Sequence, residues 1–442
     1  MVPLTYNCNK YEKPENVLKP KPFVEHAVCD KRCLQTPIET DHRGQNPLTI
    51  HEHYGWERIV KPKTDFVLGD NGKLKSASSY DVKYVAPCGR SLNDIKEVDG
   101  YLKDTNSSLP IDYFSFDKNI VTKAKDRIQS GFHVEDDFSK GFENQPVSVI
   151  NKFKPLGPII GKRFVYKACR TMETENQNRS GNQLKSCCDC IDDCSSEKCE
   201  CRKFTQTMFN TVKEDKSDKC TFGYEYRRLI QTQLSPIFEC GPFCRCNSSK
   251  GKCSNRLVQF GLSHQLQLFK HPKKGYGVRA LHDIPAGSFI CTYEGELLTT
   301  EEADDGRDTT YQVQVDLIAM LEEKKRNFYR NYVTKYKEWF ETMRKVPYEN
   351  TIDKHGLKAF VSDAKTQGNI GLYINHSCDP NLSIQTVMVD TDDLRFPSIC
   401  FFTKRTIKAL QELTFDYAFD TVSLKVEKKK CLCMTRKCRR VI

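Results

Sequence analysis

Nine cysteines in two tight groups constrain this chain more than any other feature. Cys188, Cys190, Cys194, Cys199 and Cys201 form the first group, and Cys240, Cys244, Cys246 and Cys253 the second. The segment between and around them has too few apolar residues to fold by burial alone, so what the thiols bind must set its shape. Zinc takes four thiolates in a tetrahedron. Nine thiolates overfill two separate sites and underfill three. Three zinc ions sharing three bridging thiolates close the count, since six terminal ligands and three counted twice make twelve. Two zinc ions with a spare cysteine is the alternative that counting leaves open. Closed all-sulfur sites of this kind are structural. The bridged arrangement carries a net charge of about −3, from three dications and nine thiolates. Arg202, Lys203, Arg227, Arg228 and Arg245 stand near enough in sequence to offset it, while Cys187 and Cys220 fall outside the ligand pattern.

Zinc is preferred to disulfides because of the expected compartment. The opening "MVPLTYNCNKYEKPENV" has neither the apolar region nor the cleavage pattern of a signal peptide. No stretch approaches the ~18 apolar residues of a membrane span, so no membrane association is expected. An intracellular setting follows, where thiols stay reduced. The 442 residues suit two to four domains, and 38% hydrophobic residues suffice for real cores. The formal charge of +11 suits an acidic partner such as nucleic acid or chromatin, although solvated lysines account for it equally well.

A second thiol group closes the chain: Cys431, Cys433 and Cys438 in "CLCMTRKC". Three thiolates leave one tetrahedral position, for water in a catalytic site or for a ligand from elsewhere. Cys378, in the polar loop "NHSCDPN", is the candidate fourth ligand.

Between these landmarks the pattern is mainly β with α additions. Residues 1–45 read as an irregular N-terminal segment. Residues 46–117 read as a small α+β unit, with a strand at 80–87 and a short amphipathic helix at 92–102. Residues 118–168 carry few signals and read as an extended linker. Strands at 266–270 and 287–298 begin a β-rich region. A charged helical segment at 318–345 interrupts it and reads as an insertion.

Four motifs carry a resemblance: "KGYGVRA" (274–280), "GNIGLYINHSCDPN" (368–381), "ELTFDYAF" (412–419) and the C-x-C-x4-C tail. Together they resemble the SET-domain protein lysine methyltransferases. The nine-cysteine block resembles the pre-SET module and the tail the post-SET module. "VDTDDLRFP" (389–397) and the upstream "YGWER", "YVAPCGRSL" and "EVDGYL" narrow the resemblance to the bifurcated SET-domain histone H3 lysine-9 enzymes, in which a methyl-CpG-binding-like domain precedes the pre-SET.

The resemblance implies small β-sheets and a C-terminal pseudoknot in which "NHSC" meets "FDY". It implies a methyl-CpG-binding-like domain at 46–117, a linker and the start of pre-SET at 118–185, and a pre-SET zinc cluster at 186–261. It implies a SET domain at 264–420, with its insertion at about 318–350, and a post-SET segment at 427–442. The implied cofactors are S-adenosylmethionine and zinc, three ions in the pre-SET cluster and one held by Cys378, Cys431, Cys433 and Cys438.

The implied reaction transfers a methyl group to a lysine ε-amine by in-line displacement, which requires alignment rather than a nucleophilic cysteine. The amine must be neutral. From a free pKa of ~10.4, deprotonation at pH 7 costs about 4–5 kcal/mol, and a dry channel lowers that cost. The resemblance makes Tyr417 the catalytic tyrosine and Tyr311 a second tyrosine that shapes the site and contacts the cofactor. Lys274, Gly275, Tyr276, Asn375 and His376 are the implied cofactor residues. Phe415 is the implied product-specificity residue, its ring lacking a hydroxyl and leaving room for di- or trimethylation.

Two departures from the family pattern stand out. Leu372 stands where the family usually has an arginine that helps to form the cofactor pocket. Lys63 and Asn93 stand where methyl-CpG readers place arginines on guanine edges. Asn93 cannot make that bidentate contact, which points residues 46–117 toward non-specific phosphate contacts or protein docking. Implied partners are the histone H3 tail or nucleosome, DNA and co-repressor proteins, in the nucleus and on the chromosome, in heterochromatin formation and transcriptional repression. The alternatives are a catalytically weak SET-domain scaffold and a methyltransferase for a non-histone protein.

Overall fold

The computed structural model describes residues 18–37, 41–68, 74–122, 128–130, 132–153, 164–168, 185, 187–212, 222–233, 235–248, 253–299, 302–303, 311–314, 360–389, 391–392, 396–417 and 430–441, with a short strand at Thr5–Asn7. The charged insertion and the residues Cys8, Cys169 and Cys220 lie outside them, as does the side chain of Lys63.

The hairpin of Leu266–His271 and Gly275–Ala280 seeds the largest sheet. The alternation is plain in the residues: Leu266, Leu268, Val278 and Ala280 are fully buried. The connecting turn is closed by His271, whose Nδ1 accepts from the backbone N–H groups of Lys273 and Lys274 at 3.1 and 3.2 Å. Six strands lie in the order Asn375–His376, Glu412–Phe415, Gly275–Ala280, Leu266–His271, Ser148–Asn151, Phe132–Glu135. A four-stranded sheet adds Ile237–Phe238, Leu382–Met388, Ser398–Thr403 and Phe289–Tyr293. A three-stranded sheet joins Glu296–Thr299, Phe360–Asp363 and Gln312–Gln314. Their apolar faces share one core around Ile290, Ile370, Ile374, Phe401 and Leu413.

Two sequence expectations are corrected here. Residues 118–168 are not merely an extended linker. Ser148–Asn151 pairs in parallel with Leu266–His271, Val147 and Val149 are fully buried in the main core, and Val165–Tyr166 pairs with Gln367–Gly368. Such short strands carry almost no periodicity of their own and are defined by the sheet edge they complete. The run 287–298 is two strands in two sheets, Phe289–Tyr293 and Glu296–Thr299. The chain bends at Gly295, where a Cβ would lie 2.6 Å from the Asp363 backbone.

The N-terminal unit is a long hairpin, Glu57–Leu68 with Leu74–Val85, beside the helix Ile95–Asp104. Asp94 caps the helix by accepting from Glu97 N at 2.8 Å. Trp56, Tyr84, Tyr101 and Phe114 form its aromatic core, with edge-to-face contacts at 4.8–5.1 Å between ring centroids.

This unit is docked by arginines that the sequence reading had assigned to the cysteine cluster. Arg228 donates to the carbonyls of Asp112 and Phe114 at 3.0 and 2.9 Å, and Arg227 pairs with the Asp112 carboxylate at 3.0 Å. The described cysteine cluster has a different neighbour in Arg256, which reaches Cys246 Sγ at 3.6 Å.

Candidate active site and metal centres

The C-terminal strand Glu412–Phe415 lies between Gly275–Ala280, antiparallel to it, and Asn375–His376, parallel to it. Asn381 ties the crossing: its side chain donates to Glu412 O at 2.8 Å and accepts from Thr414 N at 2.9 Å. Ser377 N donates to Phe415 O at 2.9 Å. "NHSC" and "FDY" are thus held together by backbone and amide bonds, which fixes the side chains that follow to within a hydrogen bond.

At the crossing Glu412 acts as a hub. It accepts from Lys274 Nζ at 2.8 and 3.0 Å and from Asn375 Nδ2 at 3.0 Å, and Asn375 Nδ2 also reaches Tyr276 O at 3.1 Å. Gly277 admits this cluster, for a Cβ there would lie 2.9 Å from Asn375 Nδ2 and 3.0 Å from Glu412 Oε1. Gly275 has φ +84°, and a Cβ built on it would point into open space. The loop 274–276 therefore presents bare backbone beside a gap. Tyr276 and Tyr373 meet edge-on at 6.5 Å, and the Tyr373 hydroxyl, buried, has no hydrogen-bond partner among the described residues. A buried orphan hydroxyl next to an open glycine loop suits a polar ligand that would satisfy it. Glu412 and Tyr373 were missed from sequence: each sits inside a quoted motif, but nothing in its residue type separates it from a strand or core residue.

The same crossing carries the tyrosines. The Tyr417 hydroxyl donates to Ile374 O at 3.0 Å. Burial, with the Glu412 carboxylate and Tyr311 adding to it, holds this phenol well above its ordinary pKa. Tyr417 is therefore a neutral phenol whose oxygen keeps its lone pairs for another donor, although 38% of the residue's surface is exposed. Phe415 packs against it at 4.7 Å. Tyr311 is exposed on 40% of its surface, and its carbonyl accepts from the buried Tyr293 hydroxyl at 2.7 Å. Tyr293 was missed, reading only as a strand residue. Leu372 packs against the main core as a partly buried apolar residue.

The His376 ring lies inside the crossing. Its Nδ1 accepts from Tyr417 N at 3.1 Å, so in the neutral ring the proton belongs on Nε2, which faces Cys378 Sγ at 3.3 Å. Burial lowers its pKa, which favours that neutral form. His376 thus links Cys378 to the backbone of Tyr417 rather than facing an open groove with its ring.

Cys378 belongs to a quartet with Cys431, Cys433 and Cys438, whose sulfurs all lie within 4.8 Å of one another. Cys378 and Cys431 are 3.7 Å apart. Zinc–sulfur bonds of about 2.3 Å give a tetrahedron with edges of about 3.8 Å, so the donor set fits zinc. Backbone N–H groups of Arg439 and Arg440 donate to Cys378 and Cys438, each at 3.3 Å, as they would to thiolates. Arg439 also clamps Asp416 with both guanidinium nitrogens, at 2.9 and 2.5 Å. The tail is therefore fastened to the residue that precedes Tyr417.

In the nine-cysteine block, eight of the nine are buried in one cluster and Cys190 packs at its side. Cys188 lies 3.7–3.8 Å from Cys194, Cys240 and Cys246, Cys199 lies 3.8 Å from Cys240, and Cys201 lies 3.6 Å from Cys244. These are tetrahedron edges. Quartets able to hold an ion share members, with Cys240 common to the sets that include Cys199, Cys244 and Cys253. Shared sulfurs favour bridged ions over two independent sites. None of the described cysteines is in a disulfide.

Comparison with known proteins agrees with this architecture. Residues 275–418 match the SET domain, residues 139–256 the pre-SET motif and residues 43–124 the methyl-CpG binding domain. Histone-lysine N-methyltransferase SETDB2 of Danio rerio is 30% identical over 471 residues, covering 93% of this chain and 78% of that protein. The chain belongs to the SET-domain histone-lysine N-methyltransferase family. Histone-lysine N-methyltransferase eggless of Drosophila pseudoobscura pseudoobscura is 31% identical, and the match takes in 96% of this chain but 37% of that longer relative. In fold, the chain is similar to Arabidopsis thaliana SUVH6 in complex with SAM and to KRYPTONITE in complex with mCHG DNA and SAH. Each is 24% identical with a TM-score of 0.51; the likeness covers 88% and 87% of this chain and 66% of each of those. Among the described residues no helix is long and apolar enough to cross a membrane.

Proposed function

We propose that this chain is a protein lysine methyltransferase that uses S-adenosylmethionine to di- or trimethylate histone H3 at lysine-9, on the chromosome in the nucleus, in heterochromatin formation and transcriptional repression. The observation that carries the reading is the crossing itself. It brings a neutral Tyr417 and the Lys274, Asn375 and Glu412 cluster to one strand, Glu412–Phe415, and a four-sulfur site joins the tail to it.

The family's names support histone lysine as substrate class, and the SAM complex of SUVH6 supports the cofactor. Lys274, Gly275, Tyr276 and Asn375 would hold the cofactor, with Tyr311 and the backbone of His376 completing the wall. When bound, S-adenosylmethionine supplies the methyl group. With substrate bound over the half-exposed Tyr311 and Tyr417, a site closed to water would disfavour a charged ammonium and favour the neutral amine. Tyr417, donating to Ile374 O, offers its oxygen as acceptor to an amine N–H and so aims the nitrogen lone pair. Phe415 leaves space beside Tyr417 that a hydroxyl would take.

Three zinc ions in the nine-cysteine block and one in the tail hold these parts in register. The histone H3 tail is the proposed substrate. DNA bound through its phosphates and co-repressor proteins are proposed partners of residues 46–117. Leu372 favours a second reading, a catalytically weak chromatin-binding scaffold, since an apolar residue packed against the core stands where the resemblance implies a charged contributor to the cofactor pocket.

Radiolabelled methyl transfer to histone H3 peptides tests the proposal. Zinc-replete wild type should transfer label, and Tyr417→Phe should transfer it about a hundredfold more slowly. No transfer from wild type supports the scaffold, and transfer untouched by Tyr417→Phe removes that residue from its role.

A further inference from the structure

The segment before the N-terminal unit, residues 18–37, lies as a strap across it. Lys21 N donates to Pro87 O at 3.0 Å, and Gln35 Nε2 donates to Pro87 O and Lys19 O, each at 3.0 Å. Arg90 donates to His26 O at 2.6 Å, and the Tyr101 hydroxyl to Cys33 O at 3.3 Å. The strap presses on the turn after Leu74–Val85 so closely that a Cβ on Gly89, at φ +87°, would fall 2.4 Å from Lys21 O. Yet most of its apolar side chains do not hold it there: apart from the cysteines, Leu34 alone among the described residues 18–37 is a large apolar side chain packed against the unit's core. Phe23, Val24 and Val28 are exposed on 49, 75 and 73% of their surfaces.

At the centre of this contact four ligand atoms converge. His26 Nε2 and the sulfurs of Cys29, Cys33 and Cys88 all lie within 4.8 Å of one another. His26 Nε2 is 3.3 Å from Cys29 Sγ and 3.4 Å from Cys33 Sγ. His26 Nδ1 lies 2.6 Å from Val24 O, a carbonyl that can only accept, so the proton sits on Nδ1 and the Nε2 lone pair faces the sulfurs. No disulfide involves these cysteines, and Cys29 is buried. Cys33 is set by the short 3-10 turn Lys31–Cys33, capped by Asp30. The Tyr101 hydroxyl approaches Cys88 Sγ at 3.6 Å.

We propose that His26, Cys29, Cys33 and Cys88 form a structural zinc site that fastens the N-terminal strap to the methyl-CpG-binding-like unit. One imidazole with its tautomer fixed by a carbonyl and three thiolates make a closed tetrahedral set. The charge of three thiolates and one dication is small enough to bury. All four positions are filled by protein, so the site is structural, and its binding energy is folding energy for a strap that buries little else. The ligands come as His-x2-Cys-x3-Cys and then a cysteine more than fifty residues later, so no single window of sequence shows the set.

The test uses the full chain. Zinc per chain is measured by elemental mass spectrometry on wild type and on Cys29→Ser/Cys33→Ser, together with cobalt-substituted spectra. The double variant should lose one zinc per chain relative to wild type and the cobalt absorption of a three-sulfur, one-nitrogen site. Trypsin should then cut the strap at Lys31 or Arg32 at least tenfold faster. His26→Cys guards against misfolding of the double variant: it should keep the wild-type zinc count while its cobalt bands move toward those of four sulfurs. Equal zinc in the double variant overturns the proposal. So does an unchanged cobalt spectrum in His26→Cys, or a disulfide among Cys29, Cys33 and Cys88 in the zinc-replete protein.

Discussion

Gly277→Ala separates the proposed cofactor contacts of the crossing from the role of Tyr417. The added methyl would sit 2.9 Å from Asn375 Nδ2, 3.0 Å from Glu412 Oε1 and 3.1 Å from Phe269 Cε1. Non-bonded heavy atoms rest at about 3.5–4.0 Å, so each neighbour must retreat by roughly half an ångström. The two polar atoms are tips of side chains and can move at little strain. Their retreat, however, stretches the bonds from Asn375 Nδ2 to Tyr276 O and to Glu412, now 3.1 and 3.0 Å, to the edge of hydrogen bonding. One of these is neutral and one goes to a carboxylate, and their combined weakening costs about 1–3 kcal/mol. If the cluster binds the cofactor, that energy appears as a roughly 10- to 100-fold rise in the Kd for S-adenosylmethionine. Calorimetric titration of cofactor into the two proteins measures it. Asn375→Ala should weaken binding to a similar degree, and combining it with Gly277→Ala should add little, because both act on one amide. Tyr417→Phe should leave the Kd within about twofold while lowering kcat. A Kd for Gly277→Ala within about twofold of wild type would refute the placement of the cofactor against Asn375.

Three further outcomes follow from the geometry. Cys378→Ser should release one zinc per chain and at least about 90% of methyl transfer together, because His376 bridges Cys378 to Tyr417 N; activity retained after loss of that zinc would uncouple the two. Phe415→Tyr should shift the product toward monomethyl-lysine, read by peptide mass, and an unchanged product distribution would remove Phe415 from product control. Burial pushes the Glu143 carboxyl from 4.5 up to about 7, although Tyr166 donates to it at 2.8 Å. The folded state therefore holds a proton that the unfolded chain has released. The stability this contributes is complete below pH 4.5 and is lost as pH rises through about 7, a change of about 3 kcal/mol. Glu143→Gln should gain in Tm relative to wild type between pH 5 and pH 7.5, and parallel profiles would contradict the shift.

What could be read in the residues follows from what kind of constraint each feature obeys. Ligand number is an integer, so three tail cysteines without a fourth made Cys378 a candidate, and nine clustered thiols narrowed the choice to three zinc ions with shared sulfurs or two with a spare cysteine. That "NHSC" and "FDY" meet at one crossing was implied by the family resemblance of the motifs that contain them. Ser148–Asn151 was hidden because a four-residue strand acquires its meaning from the Leu266–His271 edge beside it, not from its own period. Glu412 and Arg439 were hidden because their roles lie in partners distant along the chain, Lys274 and Asp416. Arg227 and Arg228 looked like counter-charges for thiolates beside them in sequence. The fold instead turns them to the carbonyls and carboxylate of Asp112 and the carbonyl of Phe114.

The central claim is that this crossing is a methyl-transfer site for lysine-9 of histone H3. Its most direct measurement is the mass of a histone H3 tail peptide after incubation with S-adenosylmethionine and the zinc-replete chain, beside the same peptide carrying arginine at position 9. The account predicts two or three added methyl groups on the lysine-9 peptide with wild type, none on the arginine peptide, and a near-complete loss with Tyr417→Phe. Methyl groups on the arginine peptide, or equal methylation by Tyr417→Phe, would contradict it.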